Sequence, residues 1–372
     1  MDEIRSAADR VVLETVLPPD FGKEHYMKDF QNNYPSPPTN PSTFPDDGGL
    51  VDGWGRRITY LRLAITDRCN LRCQYCRPEK GVSFIPHKEI LRFEELERLV
   101  AIFRSLGINK VRVTGGEPFS RRGCLPFLTR LRKIEGVQHL HITTNGVKTS
   151  QYLDELAALG LGSINVSLDT LDHKRFWKIT RRNYLEAVLQ TVHGALARNI
   201  PLKINSVVLE DTCDDEIIQL AGLARDFPIT LRFIERMPFS GTVRSEKLEN
   251  GNLPQRLKRI FPAIEKCTTA LPTTAHLFAL PGYKGNLGII QGYSRLFCKT
   301  CNKVRITPTG MLKTCLYDNG ALDLKMLLRT GCGDYEISKA IVDCVQNRFI
   351  NGHEAERFSS RTKEPSMAMI GG

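Results

Sequence analysis

The sequence predicts an α/β fold: an open partial barrel of six βα units, followed by a smaller C-terminal domain. Six short apolar runs recur along the chain, each ends in polar or glycine residues, and segments with helical periodicity separate them. Six strand–helix repeats favour a parallel sheet with covered faces. Such a barrel places its active site at the carboxyl ends of the strands. Because periodicity does not decide closure, a doubly wound sheet remains the alternative.

The predicted strands span residues 60–66, 110–116, 140–146, 163–169, 202–209 and 230–236. Between them, apolar side chains recur three and four residues apart over 93–106 and 184–199, and acidic capping residues open a helix at 214.

After about Met237 the repeats stop. We therefore predict three parts. Residues 1–50, which include a stretch rich in Pro, Asn and Ser, form a disordered extension. Residues 51–237 form the partial barrel, and residues 238–372 form a smaller domain across its mouth.

Composition indicates a globular protein with an anionic partner. Hydrophobic residues make up 41% of the chain, and its net charge is +11. No run of five basic residues occurs, so a phosphorylated small molecule is favoured over nucleic acid. The odd count of 11 cysteines argues against a disulfide framework. No apolar stretch near 18 residues and no signal peptide are found, which predicts a cytoplasmic protein without a membrane span.

Three cysteines, Cys69, Cys73 and Cys76, form a CxxxCxxC loop after the first predicted strand. Structural zinc needs four ligands, and the next histidine, His87, is eleven residues past Cys76. Cysteine thiolates hold iron–sulfur clusters, and three ligands on a four-iron cluster leave one iron open. The loop therefore predicts a [4Fe–4S] cluster in preference to a zinc or redox site.

With Tyr75 before its third cysteine, the loop resembles the signature of radical S-adenosylmethionine (SAM) enzymes. The resemblance implies that the open iron binds the amino and carboxylate groups of SAM. Gly115 and Gly116 of a GGEP motif let the backbone approach a ligand closely, and Gly116 is similar to the family element that meets the SAM amino group. Ser167 and Met237 match further SAM contacts, although each alone would be interpreted as a turn or core residue.

A second trio of cysteines lies in the segment FCKTCNKVRITPTGMLKTC, and it consists of Cys298, Cys301 and Cys315. Residues 303–307 and 311–315 flank a turn at 308–310, which predicts a hairpin. If Thr307 pairs with Met311, the hairpin returns Cys315 to the neighbourhood of the other two thiols. The alternative is structural zinc completed by a distant residue.

On a radical SAM chain, a CxxC followed fourteen residues later by a third cysteine resembles the GTP 3′,8-cyclases of molybdenum cofactor biosynthesis. The resemblance runs from about Gly53 to the terminal Gly371-Gly372 and includes LRLAITDRCNLRC, RVTGGEPFSRR, TTNG, INVSLD and RFIERM. It implies an incomplete triose-phosphate-isomerase-type (TIM-type) barrel. The C-terminal part then carries a second [4Fe–4S] cluster, whose open iron binds the guanine of GTP.

The resemblance also implies that polar residues hold the rest of GTP, and the matching positions are Arg62, Arg112, Thr143, Lys203, Lys303 and Arg305. Family members often carry Arg-x-Arg after the CxxC, whereas this chain has Lys303-Val304-Arg305. Strand alternation still puts both cations on one face, but lysine lacks the bidentate fork of arginine.

By resemblance, a 5′-deoxyadenosyl radical from SAM removes the C3′ hydrogen of GTP. The C3′ radical then attacks C8, and reduction and protonation of the resulting radical give (8S)-3′,8-cyclo-7,8-dihydroguanosine 5′-triphosphate. The sequence assigns no catalytic residue. The expected partners are a low-potential electron donor, cyclic pyranopterin monophosphate synthase as the next enzyme, and a second copy in a homodimer. The alternatives are a radical SAM peptide-modifying enzyme with an auxiliary cluster and a non-catalytic nucleic-acid-binding iron–sulfur or zinc protein.

Overall fold

The structure, a computed structural model, describes residues 49–77, 81, 83–237, 253–267, 274–292, 295–359 and 367–370. The predicted extension lies outside the described residues except for its last two, and the Gly371-Gly372 tail lies outside them as well. Leu50 is already part of the core, since it is 2% exposed and its backbone N–H donates to Leu106 O.

The six predicted strands of the barrel are confirmed. They are β1 (Tyr60–Ala64), β2 (Lys110–Thr114), β3 (His139–Thr144), β4 (Ser163–Ser167), β5 (Leu202–Val208) and β6 (Thr230–Glu235). Neighbours in sequence pair in parallel, in the order β1 to β6. A doubly wound sheet reverses its order at a switch point, and the order β1 to β6 does not, which argues against the doubly wound alternative. The closure of the strands into a partial barrel stays a prediction.

The helices that cover these strands are α1 (Phe93–Ser105), α2 (Cys124–Lys133), α3 (Leu153–Ala158), α4 (His173–Thr180), α5 (Leu185–Ala197) and α6 (Asp214–Asp226). Their buried sides follow the predicted periodicity: Leu96, Leu99 and Phe103 of α1 are fully buried. The α6 N-terminus is capped by the Glu216 carboxylate, which accepts from the Cys213 N–H at 3.0 Å. Short 3-10 helices span His87–Glu89, Pro118–Ser120, Thr149–Tyr152 and Leu296–Thr300.

The C-terminal segment adds strands to both edges of the same sheet. Its elements are α7 (Leu253–Ile260), β7 (Glu265–Lys266), β8 (His276–Ala279), β9 (Asn286–Ile290), β10 (Lys303–Ile306), β11 (Met311–Lys313), β12 (Leu322–Asp323), α8 (Leu324–Arg329), α9 (Asp334–Gln346), α10 (Gly352–Ser359) and α11 (Met367–Ile370). Strand β10 pairs in parallel with β1, and β9 pairs in parallel with β6. The order is β12-β11-β10-β1-β2-β3-β4-β5-β6-β9-β8-β7. The domain division at Met237 stays a prediction.

The predicted hairpin register is confirmed. Arg305 lies opposite Lys313 in the β10–β11 pair, and the Thr307 N–H donates to the Met311 carbonyl at 3.0 Å. The turn is closed by Gly310, whose φ of +87° is a backbone angle that residues with a side chain rarely adopt. This register brings Cys315 back toward the start of β10.

The sheet has one apolar and one polar face because successive side chains of a strand point to opposite sides. On β1, Leu61 and Leu63 are fully buried in the core, whereas Tyr60 and Arg62 line a cavity on the other side. The parallel register puts Arg62 beside Arg112 of β2 and beside Arg305 of β10. The cations of separate strands therefore meet on the inner face. No helix in the described part of the chain is long and apolar enough to cross a membrane.

Candidate active site

A cavity of about 450 Å³ opens on the polar face of the sheet. The loop after β1 contributes Cys69, Cys73 and Cys76 to its lining, and the C-terminal segment contributes the second trio. The structure brings together every residue predicted for SAM or for GTP: Tyr75, Gly116, Ser167, Met237, Arg62, Arg112, Thr143, Lys203, Lys303 and Arg305. Both sets of thiols and all these side chains thus share one cavity.

The two glycines of the GGEP motif pack against the segment that leads into the first cysteine loop. The Gly116 N–H donates to the Thr66 carbonyl at 2.6 Å. A Cβ atom on Gly116 would lie 2.4 Å from the Arg68 carbonyl oxygen, and one on Gly115 would lie 2.5 Å from that of Thr66. Both glycines thus allow a close approach to the protein backbone, and both line the cavity, so that their close approach to a ligand stays a prediction. The contact of Gly116 with SAM stays a prediction.

Glu117, the carboxylate of the same motif, is fully buried and organises the first cysteine loop. It accepts hydrogen bonds from Thr144 Oγ1 at 2.9 Å and from the Asn145 N–H at 2.7 Å. The Asn145 amide in turn donates to Asn70 Oδ1 at 2.7 Å and to Cys69 Sγ at 3.5 Å. The TTNG segment therefore supports the loop through its backbone and its asparagine.

Tyr75 connects the cysteine loop to the end of β4. Its hydroxyl donates to Asp169 Oδ2 at 2.8 Å, and the other oxygen of Asp169 accepts from the Val207 N–H at 2.8 Å. Burial raises the pKa of Asp169 to about 6, against the lowering effect of these two hydrogen bonds. Asp169 was missed as a site residue, although its position two residues past Ser167 at a strand end was a usable signal.

The second cysteine trio is braced by buried arginines. Arg348 Nη2 donates to Cys301 Sγ at 3.0 Å, and its other terminal nitrogen lies 3.5 Å from the buried carboxylate of Asp52. Arg56 forms an ion pair with Asp52 at 2.6 Å and donates to the Cys298 carbonyl at 2.9 Å. The segment before β1 thus holds the loop between Cys298 and Cys301 from outside.

Individual thiols of the two trios differ in their pKa values. Burial raises the pKa of Cys69 to about 11 and that of Cys315 to about 12. At Cys301 burial has the same direction, but Arg348 and Lys303 outweigh it and lower the pKa to about 7. Because the thiolate is the metal ligand, the buried thiols need a cationic metal group to lose their protons.

An iron–sulfur cluster fits each trio. None of the six thiols forms a disulfide, and N–H groups of Leu71 and Gly352 donate to Cys69 and Cys298 at 3.4 Å. The described lining contains no seventh cysteine and no histidine, so neither trio has the fourth ligand that structural zinc requires. No group of three or more His, Cys, Asp or Glu among the described residues is arranged to hold a metal ion by itself.

Between the trios the cavity is strongly cationic. Its described lining includes only two carboxylates, Asp169 and Glu235, against the cations Arg56, Arg62, Lys110, Arg112, Lys203, Arg232, Arg236, Lys303, Arg305 and Arg348. Burial and neighbouring cations lower the pKa of Lys203 to about 8 and that of Arg62 to about 9. Such mutual repulsion, in a site that water only partly reaches, favours a polyanionic ligand.

Arg112 and Arg232 differ in what their guanidinium groups contact. Arg112 donates to Tyr60 Oη at 2.5 Å, to the Ile142 carbonyl at 2.9 Å and to Ser163 Oγ at 3.3 Å. Arg232 Nε and Nη2 are buried and have no hydrogen-bond partner among the described residues. Arg232 was missed by the sequence analysis, although it is the one basic residue in the apolar run TLRFIE.

The chain just before the tail approaches the second trio. Met367 of α11 lines the cavity, and Ile370 is buried in a small apolar cluster with Tyr317 and Phe349. Cys315 packs against the same cluster. The prediction that Gly371 and Gly372 enter the site lies outside the described residues.

The fold and the first cysteine loop define a class of enzyme. A family model described as "Radical SAM superfamily" matches residues 63–224, and one described as "Molybdenum Cofactor Synthesis C" matches residues 229–353. In fold, the chain resembles the crystal structure of Streptococcus suis SuiB bound to S-adenosylmethionine, with a TM-score of 0.53 and 14% identity over 78% of this chain and 76% of that one. This protein is a radical SAM enzyme.

Comparison with relatives of similar sequence identifies the family within this class. The GTP 3′,8-cyclase of Peptoclostridium acidaminophilum is 39% identical over 80% of this chain and 92% of its own length. That of Heliobacterium modesticaldum is 38% identical over 87% of this chain and 100% of its own. The chain belongs to the GTP 3′,8-cyclase family. It spans about half the length of other relatives, such as human molybdenum cofactor biosynthesis protein 1, which is 37% identical over 88% of this chain and 52% of that protein.

Proposed function

We propose that this protein converts GTP to (8S)-3′,8-cyclo-7,8-dihydroguanosine 5′-triphosphate, an early step of molybdenum cofactor biosynthesis. The observation that carries the proposal is the single cavity in which two cysteine trios face a cationic wall. The named relatives are cyclases, and they do not favour the alternative of a peptide-modifying enzyme.

Cys69, Cys73 and Cys76 hold the first [4Fe–4S] cluster in this proposal, and Cys298, Cys301 and Cys315 hold the second. SAM lies over the first cluster, in contact with Tyr75, Gly116, Ser167 and Met237. Support comes from their common cavity, and from the Tyr75–Asp169 hydrogen bond that fixes the loop against β4.

GTP lies between the clusters, with its guanine toward the second trio and its phosphates toward the inner face of the sheet. Arg62, Thr143, Lys203, Lys303 and Arg305 are its proposed contacts, together with Arg112 and Arg232. The two unpartnered nitrogens of Arg232 are the strongest support, because a buried guanidinium donor without a partner costs free energy that a phosphate oxygen recovers.

The protein's own part in the reaction is to bind, orient and exclude water. When bound and reduced, the first cluster and SAM supply the carbon radical that removes the C3′ hydrogen of GTP. The cations from β1, β2, β5, β6 and β10 hold the triphosphate from several sides, which limits the positions of C3′ and C8. The small core around Tyr317, Phe349 and Ile370 packs against Cys315 of the second trio.

The test is anaerobic turnover of the reconstituted enzyme with GTP, SAM and dithionite, followed by mass analysis of the nucleotide. We expect 5′-deoxyadenosine and the cyclised triphosphate in equal amounts. Formation of 5′-deoxyadenosine without any change in GTP, under conditions where GTP binds, would show that the substrate is another molecule.

We also propose a localisation, partners and an oligomeric state for the enzyme. The enzyme acts in the cytoplasm, receives electrons from a low-potential donor and passes its product to cyclic pyranopterin monophosphate synthase. A homodimer is proposed as its assembly. Sedimentation of the holoenzyme tests the dimer, and a sedimentation coefficient of a monomer at micromolar concentration would reject it.

A further inference from the structure

Tyr60 is the first residue of β1 and lines the cavity at the amino end of the strands. It is 7% exposed, and its hydroxyl accepts a hydrogen bond from Arg112 Nε at 2.5 Å. Lys110 Nζ lies 4.8 Å from the centre of its ring, and Lys303 Nζ lies 5.6 Å from it. The strand register explains both contacts, because Tyr60 lies opposite Lys110 in β2 and opposite Lys303 in β10.

The charges that face Tyr60 from the surrounding strands are all positive. They come from β1 itself, from β2, β5, β6 and β10, and they are Arg62, Lys110, Arg112, Lys203, Arg232, Lys303 and Arg305. The two carboxylates of the described lining, Asp169 and Glu235, lie at the opposite, carboxyl end of the strands. Tyr60 is therefore the acidic group available to these cations at the amino end of the described cavity.

Deep burial and a cationic environment act on the phenol in opposite directions. Burial favours the neutral phenol, but Arg112, Arg62 and Lys110 outweigh it and lower the pKa of Tyr60 to about 7. The ordinary pKa of tyrosine is about 10. Above neutral pH, Tyr60 of the free protein is thus a phenolate that lies among the cationic side chains proposed to bind phosphate.

Resting on the proposed function, we infer that Tyr60 is the counter-ion of the cationic wall in the free enzyme, and that GTP takes its place there while the phenol takes up one proton. The triphosphate brings several negative charges to the cations that hold the phenolate. Two anions competing for Arg112 repel each other, and a proton from solvent removes one of the charges. Tyr60 in this way couples phosphate binding to pH and favours substrates with more phosphates.

The sign of the pH dependence follows from this exchange. Below pH 7 the phenol is already protonated in the free enzyme, so GTP binds without proton uptake at Tyr60. Above pH 7 binding must draw a proton, so the affinity of the wild type for GTP falls as pH rises. Lys203, with a pKa of about 8, adds its own proton uptake. Because the charge on Tyr60 raises the pKa of Lys203, this uptake is larger without the Tyr60 hydroxyl and partly offsets the loss of the Tyr60 proton.

Tyr60→Phe isolates the effect because it keeps the ring and removes only the ionisable hydroxyl. With a pKa of about 7 in the free enzyme, Tyr60 is mostly a phenolate at pH 8, and the proton that it must take up lowers the affinity for GTP about tenfold. At pH 6 the phenol is mostly protonated already, so the affinity is not lowered. We expect the variant to bind GTP about tenfold more tightly than the wild type at pH 8 and equally at pH 6. Tyr335→Phe, at an exposed tyrosine of α9, is the matched control and should match the wild type at both pH values.

The measurement is calorimetric binding of GTP, and of inorganic tripolyphosphate, to the reconstituted holoenzyme in two buffers that differ in ionisation enthalpy. At pH 8 the wild type should take up more protons than Tyr60→Phe, with a difference of at most about one proton, because ionisation of the ligand cancels in the difference and the uptake at Lys203 changes in the opposite direction. Equal proton counts and equal affinities in the two proteins would overturn the inference. A proton difference with tripolyphosphate, without any GTP binding, would support Tyr60 as counter-ion and reject the proposed function.

Ultraviolet resonance Raman spectra of the wild-type holoenzyme give a readout that needs no variant. At pH 8 we expect a tyrosinate band that disappears when GTP is added and persists when guanosine is added. A spectrum without tyrosinate at pH 8, or a band that GTP leaves unchanged, would contradict the exchange.

Discussion

Replacing Arg232 by alanine tests where the triphosphate lies. The guanidinium group is buried on the inner face of β6, and two of its nitrogens have no hydrogen-bond partner in the described part of the chain. In the free protein, burial and the charge on Arg112 lower its pKa to about 10, against the raising effect of Tyr60. The buried guanidinium group is thus unfavourable for the fold alone, and the proposed contact with phosphate would account for it.

The magnitude follows from the hydrogen bonds that alanine removes. A hydrogen bond between charged groups contributes roughly 1.5–3 kcal/mol, which corresponds to about a ten- to hundredfold loss of GTP affinity. Arg232→Lys keeps a positive charge but not the forked donor, so its loss should be smaller. Since the alanine variant also removes a repelled, buried charge, its unfolding temperature without ligand should equal or exceed that of the wild type.

The assay is anaerobic equilibrium binding of GTP, GDP, GMP and guanosine to the holoenzyme, with differential scanning fluorimetry alongside. The loss in Arg232→Ala should shrink as phosphates are removed and be absent for guanosine. Arg225→Ala is the control, because Arg225 is exposed and pairs with its neighbour Asp226. If guanosine binding fell as much as GTP binding, or if GTP affinity were unchanged, the placement of the phosphates at β6 would be wrong.

Three further predictions concern the clusters, the substitution in the cation pair and the tail. Cys315→Ser should lose about half of the iron and form no cyclised product, but it should still cleave SAM. Cys76→Ser should abolish 5′-deoxyadenosine formation. Full iron content and normal cyclisation in Cys315→Ser would show that the hairpin is purely structural. Lys303→Arg should bind GTP as tightly as the wild type or more so in equilibrium dialysis, and a clear loss would show that this ammonium meets no phosphate. Deleting residues 371–372 should lower product formation with little change in unfolding temperature; unchanged turnover would indicate that the tail remains outside the site.

Local pattern was enough to predict the strands and several helices. The apolar residues of α1 recur at helical spacing in the sequence and are the residues buried in the structure. The β10–β11 hairpin could be predicted because its turn residues, including Gly310, set the register over a few residues. Both cysteine trios could likewise be predicted from their spacing, because ligands of one metal group that lie close together in sequence form a local pattern.

The residues missed by sequence reasoning act through contacts between distant segments. Arg348 reaches Cys301 from the end of α9, and Asp52 reaches Arg348 from before β1. Gly115 and Gly116 are required by the backbone of residues 66–68, which periodicity cannot identify as their neighbour. Side-chain packing and hydrogen bonding of this kind have no repeat in the sequence.

The sequence by itself determined the parallel α/β class, the two cysteine trios and the alternation that gives each strand one polar side. Only the tertiary structure decided that β10 joins β1 and that β9 joins β6, which places Lys303 and Arg305 in one cavity with Arg62 and Arg232. Those pairings join residues more than fifty positions apart in the chain, and their free energy comes from burying both partners at once. Such long-range burial depends on the whole fold and leaves no signal in any single segment.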